Sequence, residues 1–296
     1  MANLKAIRRR IKSVQATKKI TSAMKMVAAA KVRRAQQRTL AARPFTTRVI
    51  RMLREIVREV QPIDLNELPL LQHRPTKKVA LLVITSDRGL CGSYNSTIFR
   101  KTLERLRELE AQGMEVSLIM VGLKGVGFFR SFKKYTKHKT YTLLPAIPTV
   151  EEAKLIAKNA EEVFLNGTVD RVELISTRFI SMLRSEVVNF QFLPVELPPA
   201  ADKEQGEPKP IMLFDPSIPE VLQNELIPKY VENVVFQALL EASASELAAR
   251  MNAMSNASKN ASELIGALTL VYNKARQASI TQELLEVVGG AEALKA

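Results

Sequence analysis

At 296 residues the chain has room for one or two domains, and its 46% apolar share is ordinary for a folded protein. The longest apolar run, residues 79–84, is too short to cross a bilayer, and the opening MANLKAIRRRIK lacks the apolar core of a secretory signal. A single cysteine, Cys91, excludes an internal disulfide. The net charge of +14 is concentrated at one end: residues 1–60 hold 17 Lys/Arg against two acids, Glu55 and Glu59, a balance of +15. Residues 61–215 carry +2 and residues 216–296 carry −3. Like charges stand at i,i+4 in Lys5/Arg9, Arg8/Lys12, Arg34/Arg38 and Arg54/Arg58, where they repel along a helix. A solvated face normally intersperses acids, and the −3 segment cannot neutralise this arm. An external acidic partner is therefore expected.

Residues 1–43 contain neither Gly nor Pro, the two strong helix breakers. Leu4, Ile7, Ile11 and Val14 keep a 3-4-3 spacing; the apolar phase then slips and resumes at Ile20, Met24 and Val27. This predicts a coiled-coil-like seam with a break. Ala28, Ala29, Ala30 and Ala35 follow, small enough for a partner backbone to come close. Pro44 is expected to kink or end the helix before a second apolar run over 49–60. Residues 61–75, with Pro62, Pro69 and Pro75, read as a connector.

The pattern then changes. Residues 78–85 (KVALLVIT) predict a buried strand, 93–111 a helix, 115–121 a strand, 123–132 a short helix and 140–144 a strand. A helix over 150–164 and strands over 171–176 and 187–195 follow. Alternating strands and helices predict an α/β domain with a largely parallel sheet. Residues 196–219 hold six prolines and read as a linker.

From Lys229 to Gly289 only Gly266 interrupts the helical pattern, and no proline occurs. A helix over residues 220–288 would run roughly 100 Å, about twice the width of a compact ball of this size. It must leave the globule and keep one face dry against a partner, and the other end of the chain supplies one. Its seam reads Val231, Val235, Ala238 and Ala242, then Leu264, Leu268, Val271, Ala275 and Ala278. The stretch 242–262 between them is rich in Ala, Ser and Asn, so packing there should be close but weak. Gly289-Gly290 is expected to end the helix.

Signals for catalysis are missing. The turn TSDRGLCG (85–92) could bring backbone near a phosphate, but it matches neither phosphate-loop nor dinucleotide fingerprints and reads as a tight turn over a buried Cys91. The glycines of VGLKGVGF, at 122, 125 and 127, have the wrong spacing for a dinucleotide turn. His73 and His138 lack nearby metal-ligand patterns and read as solvated surface residues. No catalytic, cofactor-binding or metal-binding residue is expected. The basic arm raises a nucleic-acid-binding coiled coil as the alternative function, yet it has no aromatic before Phe45 for base stacking. An acid-free, Arg-rich start also fits a mitochondrial transit peptide, but 54 residues is long for one and the seam continues beyond it.

Three motifs carry a resemblance. The start, with IRRRI at 7–11, Ser13-Val14-Gln15 and TKKITSAMKMVAAAKVR at 17–33, resembles the gamma subunit of rotary, F-type proton-translocating ATP synthases. TSDRGLCGSYN at 85–95 is similar to that family's first strand and turn. LVYNKARQASITQELLEVVGGAEA at 270–293 is similar to its closing signature, through Ile280-Thr281, Glu283, Glu286 and Gly290-Ala291. The resemblance covers the whole chain. Photosynthetic members usually carry an extra segment before the C-terminal helix, with a cysteine pair in plants; here residues 196–219 are short and cysteine-free.

The resemblance implies an α/β fold: a long antiparallel coiled coil of N- and C-terminal helices plus a central Rossmann-like α/β domain. In the family pattern residues 1–61 and 220–289 are the shaft helices, 76–195 the foot domain and 196–219 a linker. It implies a non-catalytic shaft that turns inside a hexamer of alpha and beta subunits and couples proton flow to ATP synthesis or hydrolysis. The foot would sit on the membrane rotor ring of c subunits beside the epsilon subunit. The chain would be a peripheral protein on the ATP-synthesising face of a bacterial cell membrane or thylakoid. By motif, Met24 and Lys25 would lie near an acidic beta-subunit loop, and Arg276, Gln277, Thr281 and Glu283 would meet the surrounding subunits. No cofactor is implied.

Overall fold

The computed structural model describes residues 4–59, 68–196 and 218–293. The chain divides into two compact units: residues 30–249, and the chain ends up to Ala29 and from Arg250 onward. The division cuts both terminal helices partway along, instead of separating helices from sheet.

The larger unit is built on a five-stranded sheet: β1 (Lys78–Ile84), β2 (Glu115–Val121), β3 (Thr136–Tyr141), β4 (Arg171–Phe179) and β5 (Ser185–Leu193), in the order β3-β2-β1-β4-β5. The first four pair in parallel, and β5 closes the sheet antiparallel to β4. Crossover helices α2 (Tyr94–Ala111), α3 (Leu123–Phe129) and α4 (Val150–Leu165) link the parallel strands.

Central β1 is apolar on both sides because both sides are covered. Val79, Leu81 and Val83 meet Ile98, Leu106 and Leu109 of α2. Ala80, Leu82 and Ile84 share the opposite core with Ile156, Ala160 and Phe164 of α4 and with the terminal helices. Helix α4 starts where Thr149 and Glu152 form a reciprocal capping box, the Glu152 carboxylate accepting the Thr149 N–H at 2.7 Å.

Two strands differ from expectation. β3 lies over 136–141, earlier than the expected 140–144, and β5 over 185–193, two residues earlier than expected. β3 reads TKHKTY, too polar to signal a strand, because it is an edge with a bulge at His138. His138 is half-buried, with Nε2 at 2.8 Å from Ser117 Oγ, and burial holds its pKa below the usual value; only His73 of the two is fully surface-exposed.

Helix α1 spans Leu4–Glu59 and runs through Pro44 without ending there. Proline forfeits one backbone bond, here to the Leu40 carbonyl, and costs about 3 kcal/mol inside a helix. Both Leu40 and Pro44 lie on the exposed face, where solvent can satisfy that carbonyl. Burial of Val49, Leu53 and Ile56 beyond the proline offsets the cost.

The expected change of phase in the α1 seam does not occur, although cover lapses over residues 15–20. One stripe with strict 3-4 spacing runs from Leu4 to Ile56 and includes Val14, Thr21, Ala28, Val32, Ala35 and Thr39. Ile20 and Val27, the apolar residues that suggested a new phase, are 60% and 57% exposed. Packing follows the helical period, and the stripe is filled by Thr and Ala where apolar residues leave it. Only Lys18 and Lys25 occupy stripe positions while exposed.

After residue 217 the chain enters α5 (Ile218–Val221), a π-helical turn (Leu222–Leu226) and α6 (Ile227–Ala293). Pro228 has no N–H to return to the preceding turn. The wide turn is the local solution, with the Ile227 N–H reaching the Leu222 carbonyl. Within residues 30–249, α1 and α6 run antiparallel. Asn233 Nδ2 donates to Thr46 Oγ1 at 2.9 Å, Arg43 and Glu241 approach to 3.7 Å, and Val32 and Ala35 pack with Ala244, Leu247 and Ala248.

In the smaller unit Thr21, Ala28, Met254 and Ala261 are the buried residues. Further along α6 the half-covered stripe is Ile265, Leu268, Tyr272, Ala275 and Ser279. The expected Leu264 and Val271 are instead 41% and 52% exposed, one position off this stripe. The helix also continues through Gly289-Gly290 to Ala293. Glycine costs about 1 kcal/mol in a helix but does not forbid it.

Candidate contact surfaces on the helix ends and the strand-turn motif

The TSDRGLCG turn is tied by hydrogen bonds to neighbouring strand ends and to the start of α3. Thr85 Oγ1 donates to the Val121 carbonyl at 2.7 Å and accepts the Gly125 N–H at 3.0 Å. Asp87 accepts the Leu123 and Leu144 N–H groups at 2.9 and 3.0 Å, and the Ser86 carbonyl accepts from the Lys124 N–H. Asn95 accepts the Ser86 N–H and donates to the sulfur of buried Cys91 at 3.3 Å. Gly122, at φ 96°, packs so closely that a Cβ would sit 2.3 Å from the Thr85 carbonyl oxygen. These backbone donors at the start of α3 are spent inside the protein, so the motif ties three strand ends together.

Two acidic sites shape the electrostatics of the larger unit. Glu173, buried in β4, accepts a forked pair of bonds from Arg105 at 2.7 and 2.8 Å and lies 3.0 Å from both Arg171 and Asn189. Burial pushes its carboxyl up, but the Arg105 and Asn189 bonds outweigh this and hold it below the usual range. Glu161 on α4 is the reverse case. Burial first, then the nearby Glu232 of α6 and Glu162, pushes it up to about 6, and its buried Oε1 has no hydrogen-bond partner among the described residues.

The residues singled out by motif all lie in the smaller unit. Met24 is half-buried and Lys25 exposed, one turn from buried Thr21 and Ala28. Arg276, Gln277, Thr281 and Glu283 are all exposed. Arg276 lies 15 residues beyond Ala261, the last buried residue of α6, or about 22 Å along the axis. They therefore form a separate zone from Met24 and Lys25. At 100° per residue, Arg276 and Glu283 flank the half-covered stripe, while Gln277 and Thr281 lie on the opposite side. Thr281 Oγ1 donates to the Gln277 carbonyl at 3.0 Å, and Glu283 accepts from Ser279 Oγ at 3.2 Å.

Sequence reasoning missed the apolar residues among and just beyond those polar ones. Ile280, Leu284, Leu285, Val287 and Val288 are all exposed, and no residue from 280 to 291 is covered. A search along the covered seam passes over them because at 100° per residue they lie within one arc on the side away from the half-covered stripe. On the other arm Arg8, Arg9, Arg10, Lys12 and Lys19 are exposed, with no acid on the helix before Glu55.

This geometry has counterparts. The family model described as ATP synthase matches residues 3–294. The ATP synthase gamma chain of Synechococcus elongatus is 48% identical over 317 aligned positions covering 99% of each chain. That alignment exceeds the 296 residues present here, so the relative carries residues that this chain lacks. Among solved structures, the Tetrahymena thermophila mitochondrial ATP synthase, described as central stalk and c-ring, contains a chain 29% identical, with TM-score 0.58 over 81% of this chain and 99% of that one. A chain of the Euglena gracilis mitochondrial ATP synthase in rotational state 3 shares the fold at 20% identity, TM-score 0.67, covering 98% of this chain and 94% of that one. The nucleic-acid-binding alternative finds no support among these relatives. Matched from end to end at nearly half identity, the chain belongs to the ATP synthase gamma chain family.

Proposed function

We propose that this chain is the central, non-catalytic rotor shaft of an F-type ATP synthase. It turns inside a hexamer of alpha and beta subunits and couples proton flow through a ring of c subunits to ATP synthesis or hydrolysis at beta-subunit sites. The observation that carries the reading is the change of burial along α6. Between Ile227 and Arg250 only Lys229 is exposed; from Ile280 to Ala291 every residue is. A helix packed at one end, with Ile280, Leu284, Leu285, Val287 and Val288 uncovered at the other, supports docking of its tip in a sleeve. The alpha/beta hexamer is that sleeve in this reading, with Arg276, Gln277, Thr281 and Glu283 among the tip contacts. Met24 and Lys25 lie at the level of an acidic beta-subunit loop, which supplies the partner that the +15 arm demands.

The sheet-bearing unit serves as the foot, on the c-ring and beside the epsilon subunit. No helix of the described residues is long and apolar enough to cross a membrane, so attachment is peripheral in this reading, on the ATP-synthesising face of a bacterial cell membrane or thylakoid. No catalytic, metal-binding or cofactor-binding residue is assigned to it. The test is single-molecule rotation with the full chain reconstituted into an alpha/beta hexamer. ATP-driven rotation in three steps per turn is expected. A hexamer that assembles and hydrolyses ATP while the chain stays stationary would refute the shaft.

A further inference from the structure

Helices α4 and α6 meet inside the sheet-bearing unit. Ala153, Ala157 and Ala160 of α4 share a core with Val231, Val235 and Ala238 of α6, and side chains this small let the two helices come close. Ser243 Oγ donates to the Ala146 carbonyl at 2.7 Å just before α4 begins, and Lys154 lies 3.8 Å from Glu232. Glu161 is the exception in this seam. It is half-buried, one residue beyond fully buried Ala160, and its Oε1 is shut off from water with no hydrogen-bond partner among the described residues.

The surrounding charges do not neutralise it. On α4, Lys158 and Glu162 are exposed and Lys154 is spent on Glu232. From α6, Glu232 brings a charge of the same sign, while Lys229 is paired with Glu225 at 2.7 Å and Tyr230 lies near Glu196. From β3, the Tyr141 hydroxyl donates to the Leu155 carbonyl; from the segment before β1, Arg74 donates to the Phe164 carbonyl and covers its ring. A glutamate kept for its alkyl stem could turn its carboxylate to solvent, as neighbouring Glu162 does. Glu161 instead keeps one oxygen inside, where a neutral acid is tolerated and a carboxylate without donors is not.

We propose that Glu161 is a proton-operated latch between α4 and α6. Neutral, it lets the two helices close. When it gives its proton to solvent, Glu232 repels it and water is drawn into the seam, so α4 loosens along its C-terminal half. The direction follows from burial first and Glu232 second, which make the closed seam hold the proton more tightly than an open one. Closure is therefore favoured most below the ordinary value of 4.5 and is lost as pH rises through about 6. In the shaft reading, the grip of the foot on its long helix then depends on the surrounding pH. The latch itself is a property of this chain and does not rest on that reading.

The test is native-state hydrogen exchange on the full chain at pH 5 and pH 8, corrected for the intrinsic pH dependence of exchange and read in peptides from 150–165 and 227–240. Glu161→Gln has no proton to lose. Its advantage in protection over the parent should grow several-fold from pH 5 to pH 8, about eightfold at most for a shift from 4.5 to about 6. The protonated-carboxyl infrared band that is missing in Glu161→Gln gives the titration midpoint directly. Glu232→Gln should move that midpoint down by removing the opposing charge, and Lys154→Gln should move it up by leaving Glu232 unpaired. A tolerated buried acid with no latching role would titrate without changing exchange in the seam. Equal pH dependence of exchange in parent and Glu161→Gln overturns the latch, as does a parent band already lost by pH 5 or a midpoint that neither neighbouring variant moves. None of these outcomes bears on whether the assembled chain rotates.

Discussion

Shortening two side chains at the α6 tip tests the sleeve directly. Leu284 and Leu285 are 61% and 67% exposed, so most of their apolar surface is available to a partner. Fully burying a leucine is worth about 1.5–3 kcal/mol, so covering the exposed part of each contributes about 1–2 kcal/mol. The combined Leu284→Ala and Leu285→Ala variant keeps only the β-carbons, and should lose about 2–3 kcal/mol of hexamer affinity, or about 30- to 150-fold in Kd. The isolated chain should be almost unaffected. Those side chains touch little within it, and alanine is at least as good a helix former as leucine. Fluorescence titration of labelled chain against the hexamer gives the affinity, and circular-dichroism melting gives the stability. Unchanged affinity would refute the sleeve. A marked fall in Tm of the isolated chain would show that the tip has an internal partner.

Four further outcomes follow from particular sites. Glu161 has a raised pKa in the folded chain, so ionising it costs stability above roughly pH 6, and the cost vanishes below its ordinary value of 4.5. Glu161→Gln should therefore stabilise by about 1 kcal/mol at pH 8, after allowing for solvent screening, and by nothing at pH 4; equal urea midpoint shifts at both pH values would refute this. Arg105→Ala should cost about 2–3 kcal/mol at pH 7, because Glu173 loses its forked partner but keeps Arg171 and Asn189. Glu173 has a depressed pKa, so its contribution is present above the unfolded value and lost as pH falls through the folded one; urea titration should find the variant's deficit shrinking in acid. Gly122→Ala should cost more than about 3 kcal/mol, given its positive φ and the contact with the Thr85 carbonyl, whereas Gly127→Ala, a helical position with nothing within 4 Å, should gain about 1 kcal/mol; thermal melts distinguish them. Met24→Lys should leave ATP hydrolysis but lower protons pumped per ATP in vesicles, since a partly desolvated new ion pair with the stator can hold several kcal/mol; wild-type coupling would place Met24 away from that loop.

The legible parts of this fold were those where composition follows geometry. Strand β1 could be read because both its faces are covered, and a continuous apolar run has few other meanings. β3 could not, because an edge strand carries lysine and threonine for reasons unrelated to pairing. The absence of Gly and Pro announced α1, yet its seam was misread where Thr21 and Ala28 stand in for larger side chains. Search by hydrophobicity finds Ile20 and Val27, which are bright in sequence and bare in structure. The residues proposed to meet partners were reached through family motifs. The apolar tip was legible as spacing, with Ile280, Leu284, Val287 and Val288 at i, i+4, i+7 and i+8, but this face is out of phase with the seam that was being followed.

The distribution of packing along α6 explains how one helix can be both held and free. Val231, Val235, Leu239, Leu240 and Leu247 are buried in the sheet-bearing unit, where large side chains on several sides leave the helix no rotation that avoids breaking contacts. Interiors packed this densely resist small displacements, so that stretch cannot turn relative to the sheet. Beyond Arg250 only Met254 and Ala261 are buried among the described residues, and Ile265, Leu268, Tyr272, Ala275 and Ser279 are half-covered, so less area is taken from water there. At the tip apolar side chains have no internal partner. Their attraction to a sleeve depends on area removed from water and hardly on angle. Hydrogen bonds and ion pairs are directional, and a tip built from them would favour one orientation of the shaft. In the proposed arrangement an apolar tip would let the surrounding hexamer hold the helix while leaving it free to turn.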